Sequence, residues 1–97
     1  MAYVVNATWI TRECEEGRVR AALTELAPLS RAETGCRYYQ VYVTPDEPRV
    51  FRIFEVYDDA AAFEEHRNSP HFQRLAIERA VPALEDREVA FFETLDA

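Results

Sequence analysis

Residues 52–72 read RIFEVYDDAAAFEEHRNSPHF. The first six residues, up to Tyr57, are rich in β-branched and aromatic side chains, as a strand requires. Asp58 or Asp59 then offers a carboxylate to cap a helix whose first segment runs to about His66. The Asn68-Ser69-Pro70 triplet breaks that helix. Asn and Ser are capping residues, and Pro70 suits the first turn of a new segment. In that segment Phe72, Leu75, Ala76, Arg79 and Ala80 recur at i, i+3, i+4, i+7 and i+8, which predicts a helical stripe bounded by Pro82. A strand that runs into a broken helix carrying the chain's two histidines, His66 and His71, frames the rest of the sequence.

Upstream, Tyr3–Ile10 alternates in a way that suits a strand, with Val4, Asn6, Thr8 and Ile10 on one face and Tyr3, Val5, Ala7 and Trp9 on the other. The segment ECEEGRVRAALTELAPL places Val19, Leu23 and Leu26 at helical spacing, with Glu15 and Glu16 near its start where the helix dipole favours negative charge. Pro28 is expected to end this helix or lie just beyond its end. A turn at Gly35 leads into a strand from about Cys36 to Val43. TPDEP is a turn, RVFRIFEVY a third strand, and REVAFFETL a fourth. Strands joined by so short a loop form an antiparallel hairpin.

The resulting order, β-α-β-β-α-β, predicts an α+β ferredoxin-like fold, an antiparallel sheet with its helices on one face. A single domain over residues 1–97 is expected. Both faces of the hairpin carry large apolar groups: Tyr39, Val41 and Val43 alternate with Tyr38 and Tyr42, and Phe51 and Ile53 with Phe54 and Val56. A sheet covered on one side should leave the other side polar. Two sheets packed face to face in a homodimer resolve the conflict.

Composition narrows the partners. Net charge is −7, and all 11 basic residues are arginine. With no basic run, neither nucleic acid nor an anionic membrane is an expected partner. No apolar run approaches the ~20 residues of a membrane span, and the N-terminus lacks the features of a signal peptide, so a cytoplasmic location is expected. Cys14 and Cys36 read as two unpaired thiols.

FEVYDDAAAFEEHRNSPHF resembles the signature of the antibiotic biosynthesis monooxygenase superfamily. The matching residues are Phe54, Glu55, Tyr57, Asp58, Asp59, Ala62, Phe63, His66, Ser69, Pro70, His71 and Phe72. ETGCRYYQVYVTPDEPRVF looks like the family's Gly–x–x–x–Tyr strand and its proline-containing turn. The resemblance implies a homodimeric α+β barrel with one pocket per subunit between helices and sheet. It also implies a cofactor-free monooxygenase acting on a small quinol-like or polyphenolic substrate with dioxygen, without flavin, haem or metal. Other branches of the family degrade haem or isomerise a phosphorylated sugar. The haem branch needs an axial histidine where this chain has Ala76, so haem degradation is not expected.

Cofactor-free oxygenation needs an ionised phenol or enol, a base, donors for the anion and a dry pocket. His66 is the first candidate base or donor, against a solvent-facing helix-end histidine; His71 is the second, against local bonding across the Asn68–Pro70 break. A metal held by the two is not expected, because they share no helical face and no third ligand stands at a metal-like spacing. Glu55, set among apolar neighbours, must find a partner or raise its pKa. It is either a base or histidine orienter, or the partner of Arg37 or Arg52. Tyr57 and Tyr39 are candidate phenolic donors, or core residues. Trp9, Phe63 and Phe72 are candidate substrate contacts. Asn6 is also a candidate, although it stands one residue out of phase with the family's first-strand asparagine. The same groups suit an isomerase of a small carbonyl compound, with arginines such as Arg31, Arg37 or Arg67 for any phosphate. A non-catalytic barrel that binds a hydrophobic metabolite is the alternative of a different class.

Overall fold

A computed structural model describes residues 1–96. The elements are β1 (Tyr3–Thr11), α1 (Glu16–Arg31), β2 (Cys36–Thr44), β3 (Glu47–Tyr57), α2 (Ala60–Arg67), α3 (Phe72–Ala80), a short 3-10 turn (Val81–Ala83) and β4 (Leu84–Glu93). The strands form one antiparallel sheet in the order β2-β3-β1-β4. This is the ferredoxin-like arrangement that the element order predicts.

Alternation decides which side chains meet the helices. Val5, Ala7, Trp9 and Thr11 of β1 and Phe51, Ile53, Glu55 and Tyr57 of β3 are buried on one face. Val19, Leu23 and Leu26 of α1 and Leu75, Ala76 and Ala80 of α3 pack into the same core. Each fully buried leucine contributes about 1.5–3 kcal/mol of transfer free energy. The opposite face stays partly apolar, with Tyr38 and Tyr42 each 50% and Phe92 51% exposed.

Three details depart from the sequence reading. Pro28 lies inside α1, which continues to Arg31. Proline removes the bond its own N–H would make, but its carbonyl still accepts from Ala32 N at 3.2 Å, so the last turn closes around it. The second helical segment is wound as a π-helix, and Val81 N donates to Ala76 O five residues back. The wider turn buries Leu75, Ala76 and Ala80 and turns Arg79 outward, where it meets Glu25 at 3.3 Å. The expected stripe through Arg79 therefore loses that member. The fourth strand begins at Leu84, earlier than the periodicity from Arg87 suggested.

Of the two possible caps for α2, Asp59 is used, its carboxylate accepting from Ala62 N at 2.9 Å. Asp58 instead pairs with Arg37 at 2.7 Å. Gly35 lets the start of β2 pass close to α2: a Cβ on it would stand 2.5 Å from Ala62 Cβ. Gly35→Ala is expected to cost about 1–3 kcal/mol through this overlap, read as a lowered midpoint in urea denaturation.

Candidate active site

A cavity of about 380 Å³ opens between the helix face of the sheet and helices α2 and α3, a size suited to a small organic ligand. Its apolar walls are Val5, Ala7 and Trp9 of β1, Val89 and Phe91 of β4, Phe63 of α2, and Phe72 and Ile77 of α3. Glu55, His66, Arg67, Asn68, Gln73 and Arg87 supply its polar groups. A second hollow of about 300 Å³ between α1 and β2 has neither a histidine nor a buried carboxylate in its lining. The chemistry therefore centres on the first.

His66 lies in the last turn of α2 and is 1% exposed. Its ring is held among Phe72, Tyr57, Tyr39 and Phe63, with centroids 4.9, 5.4, 5.7 and 6.2 Å away. The break that follows the helix is fastened by Ser69, whose hydroxyl donates to His66 O at 2.7 Å and accepts from Phe72 N at 3.2 Å. The His66 Nδ1 lies 2.9 Å from Glu33 Oε2 and 3.2 Å from Oε1. His71 Nε2 meets the same Oε2 at 2.5 Å. Glu33 is thus the carboxylate that orients both imidazoles. A tight turn places it, in which Glu33 N donates to Ser30 O and Cys36 N donates to Glu33 O, each at 3.1 Å.

The other ring nitrogen faces inward. His66 Nε2 is buried without a hydrogen-bond partner, and Glu55 Oε1 lies 3.9 Å from it. Glu55 accepts a hydrogen bond from the Tyr57 hydroxyl at 2.7 Å. Neither arginine considered for Glu55 reaches it in the observed contacts: Arg37 pairs with Asp58, and Arg52 lies 3.4 Å from Thr8 Oγ1 on the opposite sheet face.

Burial sets the electrostatics. The Glu55 carboxyl is pushed up to about 7 by burial, against the opposing pull of the Tyr57 hydrogen bond and the His66 charge. Glu33 goes the other way. Burial alone would raise it, but the hydrogen bonds and charges of His66 and His71 outweigh that and hold it below its ordinary value. Burial, then the Glu55 charge, raises the phenols of Tyr57 and Tyr39. Burial and the Glu33 charge push the Cys36 thiol up to about 11, which makes it a poor nucleophile near neutral pH.

Of the residues singled out from sequence, His66, Glu55, Trp9, Phe63 and Phe72 line the cavity. Tyr57 and His71 stand behind it, on Glu55 and Glu33 respectively. Tyr39 is a buried core residue against the His66 ring. Asn6 is a correction: it is exposed on the far face of the sheet, opposite Phe54 and Ala90, because its register puts it out of phase with Val5 and Ala7. The premise that no third ligand accompanies the histidines is also corrected. Glu33, His66 and His71 offer ligand atoms within 4.8 Å of one another, a carboxylate and two imidazoles that could hold a cation after side-chain adjustment. In the observed arrangement the carboxylate instead lies between the two rings at hydrogen-bond distance.

Sequence reading missed Glu33. It sits in a loop, 33 residues from His66, and no local pattern marks it. Among the described residues no helix is long and apolar enough to cross a membrane. Both cysteines are free.

Fold and cavity together define a small α+β pocket protein whose polar groups include a carboxylate-oriented histidine and a buried glutamate of raised pKa. The chain belongs to the antibiotic biosynthesis monooxygenase family, whose pattern matches residues 1–76. The Mycobacterium tuberculosis protein named "Putative monooxygenase Rv0793" is 37% identical over 68 residues, 70% of this chain and 66% of that one. The solved structure of Rv0793 superposes with a TM-score of 0.89 at 30% identity, covering 100% of this chain and 98% of the other. SO0527 from Shewanella oneidensis matches at a TM-score of 0.86 and 32% identity, over 94% of this chain and 88% of its own. Family and relative support a monooxygenase-like role.

Proposed function

We propose that the protein oxygenates a small quinol-like or polyphenolic substrate with dioxygen and without an organic or metal cofactor. The observation that carries this reading is the buried, unpartnered Nε2 of His66, a cavity-lining residue whose other ring nitrogen is held by a carboxylate. With Glu33 accepting from Nδ1–H, the neutral form of the ring carries its lone pair on Nε2. That nitrogen takes the phenolic proton. The buried walls Val5, Trp9 and Phe63 shield the resulting anion on their side of the cavity. Glu55, raised to about 7, donates a hydrogen bond to the developing charge in its protonated form. The electron-rich anion then reduces dioxygen. One oxygen atom enters the ring and the other leaves as water, turning a quinol into a hydroxyquinone.

The same pair could move a proton beside a carbonyl, and the nearness of a raised-pKa glutamate to the base supports an isomerase as the second reading. Oxygen uptake over a panel of dihydroxynaphthalenes, anthrones and simple quinols, with and without a chelator, tests the first reading. Uptake above the autoxidation blank and indifferent to chelation is expected. No uptake, with product forming under nitrogen, would favour the isomerase.

A homodimer closed through the exposed sheet face belongs to the same proposal. Tyr38, Tyr42 and Phe92 on that face are about half exposed, and Tyr38 stands edge-on to Phe54 with centroids 5.6 Å apart. Sedimentation equilibrium at micromolar concentration should read two chains; a monomer there would contradict it.

A further inference from the structure

The cavity has two chemically different ends. Glu55 lies opposite Val5, and Val5 opposite Phe91, so the carboxyl of the acid–base pair marks one cross-strand row. Arg87 lies opposite Trp9, four residues further along both strands, and it too lines the cavity. At ~3.4 Å per residue the two rows are about 13–14 Å apart along the strands, less the reach of the side chains. A fused two-ring skeleton with one substituent fits such a gap.

Arg87 is the unusual member of this lining. The protein is acidic overall, with a net charge of −7, yet the cavity carries two guanidiniums and a single carboxylate. Arg67 is already engaged, paired with Glu64 at 3.1 Å and stacked 5.9 Å from the centre of Phe63. Glu85, two residues before Arg87 on the same strand, is taken by Arg49 at 3.5 Å. Among the described residues no ion pair or side-chain hydrogen bond involves the Arg87 guanidinium; the bond from its backbone N–H goes to Asp86. Arg87 is itself exposed, so its planar donor fork stands at the open side of the cavity, where it can bind a carboxylate through two parallel hydrogen bonds.

We propose that the substrate carries a carboxylate at the end remote from its reacting hydroxyl, and that Arg87 reads it. The proposal rests on the cavity being the place where a phenolic substrate reacts. Arg87 is then a specificity-determining residue, and it fixes which end of the molecule reaches His66. One guanidinium without a partner balances a monoanion, which favours a carboxylate over a phosphate dianion.

The test uses 5,8-dihydroxy-2-naphthoate and its methyl ester, which differ in charge at the remote ring. Their binding is followed under nitrogen by the fluorescence of Trp9, the single tryptophan and a wall of the cavity. The acid is expected to bind on the order of tenfold more tightly than the ester, a preference that falls with added salt. Arg87→Gln should erase the preference, and Arg67→Gln should reduce it less. The ester measured on each variant controls for folding and cavity shape. Equal binding of acid and ester, binding of neither, or a preference that survives Arg87→Gln would overturn the proposal. Binding is read without oxygen, so a preference seen together with absent oxygen uptake would sink the oxygenase reading and leave this subsite standing.

Discussion

Replacing His66 by alanine is expected to lower kcat/KM for quinol oxidation by about 10²–10⁴-fold, the usual worth of a positioned general base. The loss should fall mainly on kcat, because the aromatic and aliphatic walls that hold the substrate remain. The substitution empties space among four aromatic rings, so His66→Gln serves as a fuller-volume companion, and added imidazole should partly restore the alanine variant. Glu33→Gln tests the second half of the arrangement. Glu33 accepts from His66 Nδ1 at 2.9 Å but does not line the cavity, so it acts by positioning. Its amide can present a donor to Nδ1 and favour the wrong tautomer. The expected loss is smaller, about 10–100-fold, by analogy with the partners that orient ligand histidines, and it comes with a displaced pH–rate profile. An activity within threefold of wild type in both His66 variants would place the base elsewhere.

The second large effect concerns stability. The Glu55 carboxyl is raised to about 7 in the folded protein from an ordinary value of 4.5, with burial the principal cause. A group raised in this way keeps its proton in the folded state when the unfolded chain has already lost it. Its contribution to stability is therefore complete below about 4.5, declines as pH rises, and is gone once pH has passed about 7. At 1.36 kcal/mol per pH unit the loss is about 3 kcal/mol. Glu55→Gln keeps the volume and an acceptor for the Tyr57 hydroxyl but cannot ionise. Urea denaturation from pH 4 to pH 8 should show the glutamine variant gaining on wild type by about 3 kcal/mol across that window. A difference that stays flat with pH would mean that Glu55 is solvated or paired better than its position implies. Glu33 works in the opposite sense, since its lowered carboxyl stabilises the fold above its unfolded value and loses that contribution as pH falls through the folded one. The Glu55→Gln difference is read against wild type at each pH, so the Glu33 contribution largely cancels.

The strand segments and the fold class were readable because period-two alternation marks 3–10 and 49–57 as strands and sets Val5, Ala7 and Trp9 on one face of the first, Phe51 and Ile53 on one face of the second. Details governed by hydrogen-bond geometry were not readable. Pro28 inside α1 depends on a carbonyl finding Ala32, and the π winding of α3 depends on which turn best packs Leu75, Ala76 and Ala80. In the site, Glu55 and His66 stood out as polar groups on apolar elements. Glu33 and Arg87 did not, because a loop glutamate and an edge-strand arginine look like ordinary surface residues until the fold brings one onto His66 and sets the other beside the cavity. Asn6 shows the converse, a polar residue in a strand made prominent by type and placed by register on the wrong face.

The central claim is that this pocket alone lets dioxygen react with an ionised substrate. The most direct measurement is turnover of 1,4-dihydroxynaphthalene under ¹⁸O-labelled dioxygen in the presence of a chelator, followed by mass spectrometry of the product and an assay for peroxide. One labelled oxygen atom per hydroxyquinone formed is expected, with no accumulating peroxide and with loss of labelled product in His66→Ala. Unlabelled quinone with stoichiometric peroxide, or no product above the autoxidation blank, would contradict it.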